Sequence, residues 1–187
     1  SVSFIMEHEK FNFPEALRYL ANKYHIEIEE TQVSNEDKQV QDEKESLLIA
    51  LNYAAKFYQT QLTETEDGKA IGLSYFKERG FLDDTINTFQ LGYSPDSYDT
   101  FYKQATKDGY SEEMLLKAGL IKEKNGKHYD FFRDRVMFPI FNVSGKVVAF
   151  GGRMLKSGKT DNPNVYNPKY INTAETDVYH KSQVLYG

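Results

Sequence analysis

The 187-residue chain contains no cysteine. That removes disulfides and thiolate metal sites and makes the cytoplasm the expected compartment. No stretch approaches the roughly 18 consecutive apolar residues of a membrane-spanning helix. No signal-peptide pattern opens the chain, because SVSFIMEHEK carries two glutamates within its apolar stretch. The first residue is Ser1 rather than Met, so the native start is expected to lie upstream. The four histidines, His8, His25, His128 and His180, stand far apart, with no second ligand at zinc-site spacing. The serines lack the strand–turn–helix setting of a nucleophile elbow. Gly151-Gly152-Arg153 is not followed by the Gly-Lys-Ser/Thr of a phosphate-binding P-loop. Asp83-Asp84 is a carboxylate pair of the kind that holds magnesium, yet aspartates gather at helix starts without any metal.

What is present is enough for one domain with a helical arm. Hydrophobic residues make up 40% and charged residues 27%, and a chain of this length buries a sizeable core. The formal net charge of −5 argues at first against nucleic acid. It is an average over unlike parts. Residues 1–62 and 63–120 each carry 6 Lys+Arg and 11 Asp+Glu, whereas residues 121–187 carry 11 against 6. The last third is therefore +5. Such asymmetry suits either an anionic partner or an ordinary solvated basic face.

The first two thirds have helical periodicity. NFPEALRYLANKYH (12–25) predicts a helix, with Asn12 as cap, Pro14 in the first turn and Glu15 at capping-box spacing. The charged stretch that follows predicts a solvated linker. A second helix is predicted over 44–62, with Leu47, Leu48, Leu51, Ala54, Ala55, Tyr58 and Leu62 on one side. A third is predicted over 69–79 with Gly80 as its left-handed stop, and shorter ones over 97–107 and 112–118. After Leu120 the period changes to that of strands. Asn125-Gly126 between extended arms is a hairpin signal, and Ser144-Gly145 separates two apolar strands. Helices followed by an antiparallel sheet built from hairpins is an α+β arrangement.

Cations stand beside aromatics near the strand ends: Arg133 and Arg135 after Phe131-Phe132, Arg153 after Phe150, Lys169 before Tyr170, and Lys181 after Tyr179. Lys and Arg bind phosphates and aromatic faces stack bases, so the set suits single-stranded nucleic acid. The plainer reading pairs the arginines with Asp130 and Asp134 and buries the tyrosines.

These residues carry a resemblance. FFRDRVMFPIFNVSGKVVAFGGRML followed by PKYINTAETDVYHKSQVLYG resembles the catalytic core of bacterial replicative, DnaG-type DNA primases. The family pattern is an R-x-R-V-x-F-P-I strand, a G-G-R loop, then P-K-Y-x-N-S-x-E-T and F-x-K-x-x-x-L-Y-G. Thr173-Ala174 replaces Ser-Pro and Tyr179 replaces Phe, and neither change touches a charged position. YFKERGFLDDTINTFQLGYSPD is similar to the family's Y-L-x-x-R-G … F-x-L-G-Y-A-P element. FIMEHEKFNFPEALRYLANKYHIEI is similar to the stretch joining the zinc-binding domain to the core.

The resemblance implies a division into a helical arm (1–30), a charged linker (31–45) and the N-terminal subdomain of the catalytic core (46–187). It implies RNA primer synthesis from ribonucleoside triphosphates on a single-stranded DNA template, at the replication fork in the cytoplasm. Zinc would be bound by a preceding domain and magnesium by a following toprim domain. A C-terminal domain would bind the replicative helicase. This chain would then hold no catalytic residue and be inactive alone. Arg79, Arg153, Lys169 and Asn172 are implied as nucleotide and template contacts, with Tyr170 stacking or packing beside them. Lys181, with Arg133 and Arg135 behind it, would grip the template backbone. Two other readings stay open: a replication-partner docking module with a structural sheet, and a metal-dependent enzyme using Asp83 and Asp84.

Overall fold

In the computed structural model, residues 35–155 and 168–183 are described. The helical arm (1–30), with its expected helix over 12–25, and Tyr186 lie outside them. The chain divides into two units, Ser1–Gln39 and Val40–Gly187, and all that follows concerns the second, apart from the first residues of one helix.

That helix, α1, runs Asn35–Glu64. Leu47, Leu51, Ala54, Ala55, Tyr58 and Leu62 are all buried, at spacings that keep them on one face. Leu48, expected in the same stripe, is half-buried against Ile140, Val148, Ala149 and Tyr179. The helix begins nine residues before the expected start at 44. From Asn35 onward the charged segment is helical, and its side chains from Asp37 to Glu45 are mostly solvated, as its composition requires. Glu, Lys and Gln keep their side chains in water and lose little rotamer freedom in a helix. Glu43 also pairs with Lys117, which fastens this turn to the body.

The helix expected over 69–79 is divided. Gly68–Leu73 forms a π-helical turn, and α2 (Ser74–Glu78) continues from it. Gly80 follows with φ +77°, the left-handed stop that the sequence signals. Three short helices come next: α3 (Asp83–Thr88), α4 (Thr100–Lys107) and α5 (Glu112–Lys117). Ser111 caps α5 by accepting a hydrogen bond from the Met114 amide.

Strands β2 (Ile121–Lys124) and β3 (Lys127–Asp130) form the expected hairpin. Its turn residues Asn125 and Gly126 have φ of 53° and 72°, the pair of positive values that a type I′ turn demands. Four further strands make an antiparallel sheet in the order β1-β4-β5-β6, comprising Gly92–Ser94, Arg135–Phe141, Val147–Met154 and Tyr170–Asn172. Pro139 sits beyond the last residue paired with β1, where β4 has one neighbour only, so its missing donor costs no ladder bond on that side. The architecture is α+β.

The sheet has two unlike faces. One places Met137 and Phe150 against α1 and Phe132, in a core where Tyr58 stacks on Phe101 at 5.6 Å and meets Phe150 edge-on at 5.6 Å. The other buries Val136 with Leu62, Phe76, Ile86, Leu91 and Tyr93 at the β1 side. It buries Ile140 and Ala149 with Tyr179 further along. Between these two clusters, part of the second face is left open.

Candidate functional site

Strand register sets the contents of that open face. Gly151 pairs with Asn172, and Arg153 with Tyr170. Alternation then puts Gly151, Arg153, Tyr170 and Asn172 on the same side of β5 and β6. Thr173 fixes the end of β6: its amide donates to the Phe150 carbonyl at 2.9 Å, and its hydroxyl accepts from the Phe150 amide at 2.9 Å. Threonine keeps the hydroxyl of the serine that the family pattern has here.

Four expected site residues, Arg79, Arg153, Lys169 and Tyr170, gather at this edge of the sheet through the rings of Tyr75 and Tyr170. The Arg79 guanidinium lies 3.9 Å from the centre of the Tyr75 ring, and that of Arg153 lies 4.7 Å from the same ring. Arg153 also lies 5.7 Å from the Tyr170 ring and donates from Nε to its hydroxyl at 3.0 Å. Lys169 Nζ is 5.8 Å from the Tyr170 ring. The hydrogen bond from Arg153 pulls the Tyr170 phenol below its ordinary pKa, and the charges of Arg153, Lys169 and Arg79 add to that pull. Among the described residues, no carboxylate lies within ion-pair distance of any of these three cations. The cluster keeps its positive charge available for a ligand.

Beside the cations is a depression of about 350 Å³, lined by Phe138, Ile140, Gly151, Gly152, Tyr170, Asn172 and Tyr179. Its floor is apolar, and the exposed Asn172 and Tyr170 stand at its rim. A side chain at Gly151 would reach into it, since a Cβ there lies 3.2 Å from Asn172 Oδ1. An apolar floor beside a cation cluster accommodates a flat ring joined to phosphate.

Arg135 departs from the expectation. The resemblance implies it as a template contact behind Lys181, whereas it is 2% exposed, on the core face of β4. Its Nη2 donates to the Pro168 carbonyl at 2.9 Å and its Nη1 to that of Lys169 at 3.2 Å. A buried guanidinium that satisfies backbone carbonyls holds the entry to β6 in place rather than meeting a ligand. The cause is alternation: Arg135 shares a face with Met137. Arg133, two residues earlier, is exposed but belongs to a different group. It lies 5.6 Å from the Tyr98 ring and 5.9 Å from the Tyr129 ring, which are themselves 5.4 Å apart. Lys181 is exposed on a 3₁₀ turn, Lys181–Gln183, and its amide donates to Glu175 Oε1 at 3.1 Å.

Sequence reasoning missed Tyr75, Tyr98 and Tyr129. Tyr75 was signalled by its place four residues before Arg79, one helical turn away. Tyr98 and Tyr129 come together only through tertiary contact. Asp83 and Asp84 occupy the first turn of α3, where Asp83 pairs with Lys77. Among the described residues, no group of three or more His, Asp or Glu side chains is arranged to hold a metal ion.

A family model described as the DNA primase catalytic core, N-terminal domain, matches residues 57–187. The chain belongs to this family. All eight candidate residues of the primase core fall within the matched segment. The chain is 36% identical over 189 residues to the DNA primase of Pseudomonas putida, covering 100% of the chain and 27% of that protein. It is 40% identical over 186 residues to the DNA primase of Deinococcus radiodurans, covering 98% of the chain and 29% of that protein. A solved DnaG primase catalytic domain bound to single-stranded DNA superposes with a TM-score of 0.67 at 33% identity, covering 79% of this chain and 43% of that one. The chain thus spans less than a third of these curated primases, and the resemblance read from its motifs is borne out.

Proposed function

We propose that this primase-core domain holds single-stranded DNA template and nucleotide phosphates for RNA primer synthesis. The observation that carries the reading is the convergence of Arg79, Arg153 and Lys169 on Tyr75 and Tyr170, beside an apolar depression and with no carboxylate partner among the described residues. Guanidinium groups grip phosphate oxygens in pairs, and lysine adds a mobile point charge. Asn172 at the rim supplies an amide for a base or sugar edge. Lys181 and Arg133, both exposed, extend the contact along the strand backbone, and Tyr98 and Tyr129 offer Arg133's group two rings for stacking. The binding of single-stranded DNA by a structurally similar primase domain supports this reading.

Magnesium would supply activation of the primer hydroxyl and stabilisation of the leaving pyrophosphate. The family resemblance places the residues that would hold magnesium and zinc in other parts of the primase polypeptide, and the metals of the reaction are assigned there. We accordingly expect this chain to bind template without making primers. Helicase engagement and placement at a cytoplasmic replication fork belong to the same proposal.

The test is a salt titration of a fluorescent single-stranded oligonucleotide. Observed affinity should fall steeply with salt, and Arg153→Ala with Lys169→Ala should flatten the log–log slope by about 0.7 per lost phosphate contact. Binding that ignores salt, or a slope unmoved by the double change, would instead favour a docking module with a structural sheet.

A further inference from the structure

We propose that Tyr75 is a positioning residue that holds Arg79 and Arg153 together as a paired clamp for polyphosphate. The proposal rests on the phosphate-binding reading of this cluster.

Arg79 caps the end of α2 and Arg153 lies near the end of β5. Two guanidinium groups brought close repel each other, and neither has an acidic partner among the described residues. The Tyr75 ring is what they share, at 3.9 Å and 4.7 Å. A carboxylate in that position would also draw them together, but it would cancel the charge that a phosphate needs. An aromatic face attracts cations through its quadrupole and leaves their net charge intact. The ring can gather the pair without disarming it.

The ring is itself well placed. Tyr75 is half-buried and meets Phe76 edge-on at 5.4 Å, and Phe76 is fully buried in the second core cluster. The Arg153 Nε is occupied by the Tyr170 hydroxyl, so Arg153 still has its two terminal nitrogens for phosphate oxygens. Tyr75 thus packs against the second core cluster and still presents aromatic surface to two cations.

The experiment titrates the 187-residue chain calorimetrically with inorganic tripolyphosphate at low salt. Tyr75→Phe keeps the ring and should bind within about twofold of the parent. Tyr75→Leu keeps bulk without a quadrupole and should bind about tenfold more weakly with the thermal midpoint little changed. Should Tyr75→Leu unfold, the same titration is run on progressively fluorinated phenylalanines at position 75. These keep the ring's shape while draining its negative face, so affinity should fall step by step with fluorination. Affinity indifferent to fluorination, or Tyr75→Leu binding as tightly as the parent, overturns the role of Tyr75 while the phosphate site stands. A parent chain that takes up no tripolyphosphate overturns the phosphate reading and this inference with it.

Discussion

The Arg135 guanidinium reaches 3.2 Å from the backbone carbonyl oxygen of Lys169, so a buried cation of β4 sets where an exposed cation of the site begins. A second bond, to Pro168 at 2.9 Å, makes the contact a two-point clamp. Lysine retains the charge but lacks the fork. Arg135→Lys is expected to destabilise the fold by about 2 kcal/mol, since a buried charge then loses part of its hydrogen bonding. Oligonucleotide affinity should fall while the slope against salt stays at the parent value, because no phosphate contact is removed. Urea unfolding and the salt titration check the two halves. A reduced slope would return Arg135 to the template contacts.

Asp130 connects hairpin and helix by accepting from the amides of Phe101 and Tyr102, at 2.8 and 2.9 Å. Burial raises its carboxyl pKa from 3.8 to about 6, against the pull of those two amides. The folded chain thus holds this proton more tightly than the unfolded chain does. The resulting stability is fully present below the unfolded value near 4 and is lost as pH rises through about 6. The total is on the order of 2–3 kcal/mol. Asp130→Asn has no proton to lose there. Other carboxylates titrate alike in both proteins, so the stability of the parent relative to the variant should decline between about pH 4 and pH 7. Urea midpoints across that range measure it, and a difference independent of pH would sink the argument.

Tyr58 presents the reverse case, a buried polar atom with nothing to bond. Its ring is engaged by Phe57, Phe101, Phe132 and Phe150, but its hydroxyl has no hydrogen-bond partner among the described residues. Burial pushes the phenol well above its ordinary pKa, and the charge of Asp130 adds to that. Tyr58→Phe keeps every ring contact and removes an unsatisfied donor. It should therefore stabilise the chain by about 0.5–1 kcal/mol. A loss of stability in thermal unfolding would reveal a partner for the hydroxyl, such as a water.

Local signals were legible in the sequence, and long-range ones were not. Gly80, Asn125-Gly126 and the Ser111 cap each act through their own neighbours, so their elements stand where the pattern predicts. The early start of α1 escaped notice because a charged segment has no apolar stripe to count. The π-helical turn at Gly68–Leu73 depends on Gly72 fitting against Leu62, where a Cβ would come within 2.7 Å, and no local pattern announces that. Within the site, the cations were legible as residue types beside aromatics, but their grouping depends on the β5–β6 register and on α2 packing beside it. The interior side of Arg135 was readable in principle: the alternation that buries Met137 also turns Arg135 inward.

The adjacent glycines of the G-G-R element face opposite sides of the sheet, which separates their roles. A Cβ on Gly152 would meet Phe132 Cδ1 at 2.8 Å and Arg135 Cδ at 3.0 Å, both within the packed interior. A Cβ on Gly151 would meet Asn172 Oδ1 at 3.2 Å, the end of an exposed side chain that can move. Gly152→Ala is therefore expected to cost about 1–3 kcal/mol through overpacking, lowering the thermal midpoint by roughly 3–10 °C for a chain of this size. Gly151→Ala should change stability by no more than about 0.5 kcal/mol, yet weaken oligonucleotide binding, because the new methyl projects into the depression lined by Phe138, Tyr170 and Asn172. Thermal unfolding and the oligonucleotide titration, run on both variants, compare the two faces directly. Equal midpoints for the two variants would contradict this assignment of faces, and unimpaired binding by Gly151→Ala would remove the depression from the binding site.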